Sequence, residues 1–395
     1  MADTTIVARA RLYDGNGGAG VDDAVLIVED DRIVYAGPSG RAPSTQGEVI
    51  DAEGRFLVPG LIDSHVHLSF DASADFEGFA SRATPEQVLD LCAENAATAL
   101  RAGITSVRDL GGIGEATIAT ARSQRAGALR AARILTAGEV VTIPGGHVHF
   151  IGRLVSSPDE MRKTVAELHE AGADLIKIVA TGGVLTQGVS AQDSAFSQAE
   201  LDACVEEAHA RGMRVAAHAI GASGIEGAAR AGVDSIEHGC FLTDGAVETM
   251  ISNPSWLVPT LSAPDRISHG GDGVPEYARM KSAEIQVSHR ASFSRAVRDG
   301  VRIATGTDAG TPYNRIGGLH YEMALMHAAG MPLDRLLQSA TREAAQLLGF
   351  GELGVLERGR IADFVLLDAD PLVDVSAYQR VALVAQDGQI MVDER

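Results

Sequence analysis

Residues 56–68 read Phe56-Leu57-Val58-Pro59-Gly60-Leu61-Ile62-Asp63-Ser64-His65-Val66-His67-Leu68, and the fold turns on how this stretch is read. Leu57-Val58 and Leu61-Ile62 flank Pro59-Gly60 in a run apolar enough for a strand buried on both faces, as strands of a parallel sheet are. One strand is expected over 57–63, presenting His65 and His67 at its carboxyl end. Side chains alternate along an extended chain, so residues two apart point the same way and two imidazoles can reach one ion. Two polar loop histidines would read identically, so the pair takes its meaning from the rest of the chain.

Outward from this stretch, a strand, loop and helix rhythm runs over 59–350, the pattern of a parallel α/β architecture. Strands are expected at 57–63, 104–108, 132–136, 174–179, 214–218, 234–237, 257–260 and 301–305. Eight of them suggest a closed (β/α)8 TIM barrel. Between them lie helical patterns such as 85–100, where Val88, Leu91, Cys92, Ala96, Ala99 and Leu100 form an apolar stripe behind Thr84 as N-cap and Pro85. Gly103, Gly172, Gly212, Gly232 and Gly300 end helices just before the next strand. On the amino-terminal side, 6–8, 24–28, 32–36 and 49–50 read as short strands. After 342–348 strand character returns at 361–367, 381–385 and 390–392, with Asp387-Gly388 as a hairpin signal. The economical arrangement is one small β-sandwich built from both termini, 1–58 and 351–395, with the barrel of 59–350 inserted between its halves.

Composition narrows the function classes. The 395 residues, 45% hydrophobic and 22% charged, describe a folded globular chain. No apolar run approaches the roughly 20 residues that span a bilayer, and a charged segment, apolar segment and cleavage site are not found at the start, so a cytoplasmic protein without membrane partners is expected. A net charge of −20 with no basic cluster argues against nucleic-acid partners. Cys92, Cys204 and Cys240 are odd in number and widely spaced, which suits buried thiols rather than disulfides; Cys240, beside His238, could line a pocket. Homo-oligomerisation is left open.

In such a barrel the side chains that do chemistry sit at the carboxyl ends of the strands. The first strand ends in His65-Val66-His67, the fourth carries Lys177 (LIKIVATGGV), and the fifth ends in His218 (RVAAHAIG). The sixth ends in His238 (DSIEHGCF) and the eighth in Asp308 (IATGTDAGTP). Singly each has an ordinary explanation, and on the residues alone Lys177 reads as half of an ion pair. Five such ends in one register are hard to attribute to chance.

These motifs, with LGVLERGRIADFVLLDADP near the end, resemble the amidohydrolase superfamily and, within it, the prolidase-like, imidazolonepropionase-related branch. The resemblance implies two divalent metal ions, zinc being the expected ion: His65, His67 and Asp308 would hold one, His218 and His238 the other, and Lys177, as a carbamate formed with carbon dioxide, would bridge them. It implies hydrolysis of an amide bond in a dipeptide, an N-acyl amino acid or a related small carboxamide such as ochratoxin, by a metal-bridging hydroxide with Asp308 as general base and acid. Pro144-Gly145-Gly146-His147 is similar to a loop whose histidine reaches the site, so His147 is a candidate substrate contact, while His149 serves the loop itself. Where related dipeptidases place a tyrosine after the sixth-strand histidine, this chain has Gly239-Cys240-Phe241, and Phe241 cannot donate a hydrogen bond, which suggests a more apolar pocket. Arg153, Tyr313 and Arg315 could hold a substrate carboxylate instead, and Thr181-Gly182-Gly183-Val184 could let backbone approach the substrate. Deaminases of the superfamily lack the fourth-strand lysine and carry a glutamate three residues after the fifth-strand histidine; here that position is Gly221. A deaminase, an imidazolonepropionase-like cyclic amidohydrolase and a non-catalytic scaffold are the alternatives. Retention of all six ligand positions counts against the scaffold.

Overall fold

Residues 56–68 form two strands that belong to different sheets. In the computed structural model, which describes residues 4–271 and 273–395, Phe56–Pro59 pairs antiparallel with Phe364–Leu367 and parallel with the end of Thr4–Leu12, whereas Leu61–Val66 pairs parallel with Ile104–Asp109. The single strand expected over 57–63 therefore divides at Gly60. The physical reason is space: a Cβ on Gly60 would lie 2.3 Å from Thr105 Oγ1, and the Gly60 N–H donates to the Asp363 carbonyl at 2.9 Å. Only glycine lets the chain pass from one sheet to the other here.

The terminal sheet has eight strands, in the order Gln389–Asp393, Val381–Gln386, Phe364–Leu367, Phe56–Pro59, Thr4–Leu12, Val21–Glu29 and Arg32–Pro38, with Glu48–Asp51 also paired to Thr4–Leu12. Carboxyl-terminal strands thus find their partners in the amino-terminal ones. Val7, Leu26, Ile33, Leu57, Phe364 and Leu383 fill the inside of this unit. Asp387 (φ 50°) and Gly388 (φ 74°) make the two-residue hairpin turn between the last two strands, the geometry that matches strand twist.

The second unit is the eight-stranded parallel barrel. Its strands are Leu61–Val66, Ile104–Asp109, Arg133–Thr136, Leu175–Val179, Arg214–Ala219, Ser235–His238, Trp256–Val258 and Arg302–Ile303. The ring closes where the chain beyond Ile303 runs beside the first strand: Ser64 N–H donates to Thr305 O (2.9 Å), and His67 N–H to Ala309 O (2.7 Å). On the other side Asp174 N–H donates to Thr136 O (2.8 Å), and Val140–Thr142, which no sequence signal marked, bridges from the third strand to the fourth. The helix Pro85–Arg101 has Thr84 and Gln87 in a reciprocal capping box and buries Val88, Cys92, Ala96, Ala99 and Leu100.

One helix matters most for the site. Glu276–Asp299 follows the seventh strand and buries Ala278, Ser282, Ile285, His289, Ser292, Phe293 and Ala296, a stripe at helical spacing that leans over the carboxyl end of the barrel. It ends at Gly300, whose φ of 82° is the left-handed conformation a C-cap needs. Among the described residues no helix is long and apolar enough to cross a membrane.

Candidate active site

The carboxyl ends of the strands bring His65, His67, Lys177, His218, His238 and Asp308 around one small space, all six buried. The ligand atoms of His65, His238 and Asp308 lie within 4.8 Å of one another. Two of the six sit in backbone conformations that side chains disfavour: φ is 71° at His238 and 58° at Asp308. Left-handed backbone at a non-glycine residue costs of order 1–3 kcal/mol and persists only where the surroundings impose it. Asp308 is held by its N–H on the His65 carbonyl (2.8 Å), and the first and eighth strands are laced by Asp63, which accepts from the Thr307 amide (3.0 Å) and hydroxyl (2.7 Å). Burial pushes the Asp63 carboxyl up to about 7.

Each imidazole has one nitrogen committed outward. His65 Nδ1 faces Glu237 Oε2 at 2.8 Å, His67 Nδ1 faces the Gly111 carbonyl at 2.6 Å, and His218 Nε2 faces the Gly182 carbonyl at 3.0 Å. His238 Nδ1 lies 2.6 Å from the Thr260 hydroxyl, which itself donates to Pro259 O. These acceptors place the ring proton on the outer nitrogen and leave the inner one as a lone pair. The inner atoms converge: His218 Nδ1 and His238 Nε2 are 2.8 Å apart, and Asp308 Oδ1 is 3.0 Å from His67 Nε2 and 3.3 Å from His65 Nε2. Lone pairs facing one another at hydrogen-bond distance repel unless a proton or a cation lies between them.

Protons are disfavoured at the second pair. Burial, aided by Lys177, holds His218 down to about 3, and burial with His218 alongside holds His238 well below its ordinary value. Burial also pulls His67 down, but the Asp308 carboxylate more than offsets it and the ring titrates above its usual value. Asp308 itself is resisted by burial, yet His65 and His67 hold it well below the carboxylate range. Imidazoles with fixed tautomers, His218 and His238 held neutral among them, and an ionised carboxylate are the donor set of a divalent metal site, and the residues present fit one. Lys177 does not form the ion pair its residue type alone suggests. Burial lowers its ammonium to about 8, and among the described residues its only polar contact of hydrogen-bond length is His65 Nε2 at 3.5 Å.

Beneath the histidines lies a buried charge pair that sequence reasoning missed. Arg108 donates to Glu237 Oε1 (2.8 Å), Ser235 Oγ (2.9 Å) and the Ser64 carbonyl (2.6 Å). Burial works against the Glu237 carboxylate, but Arg108 and His65 overcome it and hold the group at about 2. The signal was present: Arg108 and Glu237 are charges of opposite sign inside strands that are buried throughout.

Above this cluster of histidines, Lys177 and Asp308 opens a cavity of about 690 Å³, counting its mouth. His147 lines it, buried, with Nδ1 3.0 Å from the Thr186 hydroxyl; burial and His218 hold its ring neutral. Cys240 also lines it, its thiol pushed up by burial. His289, from the long helix, is a further wall residue that the sequence did not suggest; its Nε2 donates to Pro259 O at 2.7 Å. Gly182 and Gly183 are packing requirements: a Cβ at Gly183 would lie 2.3 Å from His147 Nε2, and one at Gly182 1.9 Å from the Ser190 carbonyl.

Four expected substrate contacts lie elsewhere. Phe241 is only partly buried and packs against the apolar cluster behind the wall rather than lining the cavity. Tyr313, with φ 59°, turns outward, 42% exposed, into a surface hollow with Asp265, Arg266 and Tyr321. Arg315 is exposed two residues further on. Arg153 is occupied by Glu139 (2.6 Å) and Glu167 (3.4 Å), and His149 Nδ1 stays within its own loop on Gly146 O (3.0 Å).

Comparison with known proteins follows the same lines. A model of the amidohydrolase family matches residues 56–391. The chain is 28% identical to an ochratoxinase of Aspergillus niger over 407 aligned positions, covering 96% of this chain and 84% of that one. It is 31% identical to an imidazolonepropionase of Methylobacterium nodulans, covering 91% and 92%. Among solved structures it is similar to a Xaa-Pro dipeptidase with methionine bound in its active site: 32% identity, TM-score 0.91, 98% and 99% of the two chains.

Proposed function

The chain belongs to the amidohydrolase family, and we propose that it is a binuclear metal-dependent hydrolase of a carbon–nitrogen bond in a small amide-type substrate. The observation that carries this reading is the convergence of His218 Nδ1 and His238 Nε2 at 2.8 Å, with both outer nitrogens committed to acceptors. That pair calls for a cation, and His65, His67 and Asp308 supply donors for a second. The relatives' names, ochratoxinase, imidazolonepropionase and Xaa-Pro dipeptidase, support amide-type chemistry over deamination, as do Lys177 and Gly221.

When bound, divalent metal ions, zinc being the expected one, would polarise the substrate carbonyl and lower the pKa of the attacking water. The remaining work falls to the chain. Asp308, ionised and buried, accepts the water proton and returns it to the leaving nitrogen, so that the amide leaves as an amine rather than an anion. Lys177, lowered to about 8, has a free-amine fraction that can add carbon dioxide and become an anionic oxygen donor. His147, neutral and held by Thr186, stands where it can touch the carbonyl side of a substrate. Glu237 keeps the proton of His65 on Nδ1.

The test is metal analysis joined to a substitution. Purified protein should carry close to two divalent ions per chain by elemental analysis, and Lys177→Ala should lose at least one of them along with activity. Added short carboxylic acids should restore part of both if an anionic bridge is what the lysine supplies. Full metal content and full turnover in Lys177→Ala would reject the bridging role.

A further inference from the structure

We propose that the cavity selects substrates that carry no charge away from the scissile bond: neutral amides, ureas or carbamates bearing an aryl or alkyl group, in preference to dipeptides and N-acyl amino acids with a free carboxylate. The inference rests on reading this cavity as the site of amide hydrolysis, and it assigns the substrate class.

The walls are two apolar clusters that lie outside the main barrel core. One, around Phe76, Val140 and Ile151, has Phe70 stacked on Phe76 with ring centroids 3.9 Å apart. The other contains Ile220, Ile267 and Ile285. Both face the cavity; the polar side chains that line it gather mainly at the histidine end, and His289 donates from Nε2 to Pro259 O while its buried Nδ1 has no hydrogen-bond partner among the described residues. Away from its reacting carbonyl a ligand seated here touches mostly hydrocarbon, and His289 Nδ1, whose ring proton is spent on Pro259 O, offers a lone pair rather than a charge.

Charge makes the distinction sharper. Among the described residues that line the cavity, Lys177, beside the histidines, is the only lysine or arginine. Four cations on neighbouring elements are committed elsewhere. Lys281 donates to the carbonyls of Thr186 (2.7 Å), Val189 (2.6 Å) and Gly183 (3.5 Å), which uses its three protons. Arg290 pairs with Asp265 at 3.2 Å, and Arg266 lies 3.8 Å over the Tyr321 ring. Arg153 is held by Glu139 and Glu167. A substrate carboxylate entering the walls would lose its water and gain no cationic partner there, an unfavourable way to bury a charge. The net charge of −20 adds a general repulsion of anions.

The reaction balances without further components: R–CO–NH–R′ and water give R–COOH and R′–NH2, with the C–N bond broken, a C–O bond formed and one proton moved from water to nitrogen. Its acid product is the species the walls disfavour, which speeds its departure. The same chemistry that admits the substrate expels the product.

A matched pair decides it. N-benzoyl-phenethylamine and N-benzoyl-L-phenylalanine differ by a single carboxylate, and zinc-loaded enzyme should hydrolyse the neutral member with kcat/KM at least about 100-fold higher. Calorimetric binding of both to zinc-loaded Asp308→Asn should show the neutral member tighter by at least about tenfold. Equal or tighter binding of the carboxylate member overturns the inference. If neither compound is hydrolysed by the wild type but the neutral one still binds more tightly, the hydrolase reading fails and the substrate class with it, while the preference of the cavity for uncharged ligands stands.

Discussion

At the histidine end of the cavity four imidazoles each spend one nitrogen on a fixed acceptor and aim the other inward, while along the walls Phe76, Ile151, Ile220, Ile267 and Ile285 present hydrocarbon with no directional chemistry. The two regions sit on different parts of the molecule. The first hangs from strand ends locked into the barrel, the second mostly from the segments that follow them: loops, the short helices Phe76–Arg82 and Ser262–Ser268, and the long helix Glu276–Asp299. A reaction set by the rigid end and a choice of substrate set by the walls can therefore change separately, which is how one barrel supports many activities. Substitutions at the rigid end should act on turnover or metal affinity, and those at the walls on substrate binding.

The largest effect expected is at Asp308. Asp308→Asn keeps the size and a ligating oxygen but removes the base, so kcat should fall by about 10²- to 10⁴-fold with metal content little changed. Steady-state kinetics beside elemental analysis checks both. A kcat near that of the wild type would move the proton transfer to another group and break the division between the two regions.

Next comes the charge pair under the histidines. Glu237→Gln leaves Arg108 buried without its counter-charge and weakens the acceptor that orients His65. Breaking a buried pair on one side costs about 3–5 kcal/mol, and loss of a partner behind a metal-ligating histidine typically weakens metal binding about 10- to 100-fold. The pH dependence has a defined sign. Glu237 is held at about 2 in the folded chain, below its ordinary value, so its contribution is complete above the unfolded pKa and is lost as pH falls towards 2. Urea unfolding of wild type and Glu237→Gln should show the difference between them narrowing below pH 4 to 5. A constant difference down to pH 3 would mean that the carboxylate is not what the pair contributes.

The rigid end was legible in the sequence and the walls were not, for a physical reason. Side chains able to ligate a metal are few in kind and stand out at the ends of apolar strands, so His65, His67, Lys177, His218, His238 and Asp308, which the fold brings around one cavity, could be picked out of eight strand candidates. The barrel and the pairing of the termini followed from strand rhythm and turn residues in the same way. Wall residues are ordinary isoleucines, valines and phenylalanines, and what brings Phe76, Ile151 and Ile285 together is the course of loops that periodicity does not describe. Tyr313 and Arg315 looked suitable by type and position, but a left-handed φ at Tyr313 turns that segment outward. The division at Gly60 was hidden because residues on both sides of it are equally apolar; only the Thr105 side chain against Gly60 marks the change of sheet.

The smallest effect expected tests how the walls are held. Lys281, with Tyr277 donating to Leu185 O at 3.2 Å, fastens the loop that carries Val184, Leu185 and Thr186, and Thr186 in turn holds His147. Removing this fastening in Lys281→Met should raise KM about two- to tenfold, the worth of one net hydrogen bond, while kcat changes little because the histidine end does not depend on it. Burial lowers the Lys281 pKa below its ordinary 10.5. The ammonium form donates to three carbonyls and the free amine at most to two, so the fastening is present below the folded pKa and weakens as pH rises through it. KM should accordingly begin to climb on the alkaline side at a pH below 10.5, with kcat following its own profile. Arginine does not lose its proton in this range, so Lys281→Arg should remove the alkaline rise in KM even if its absolute value is higher. A kcat that falls together with KM in Lys281→Met, or an alkaline limb that survives in Lys281→Arg, would show that the loop reaches into the chemistry and that the two regions of the cavity are coupled.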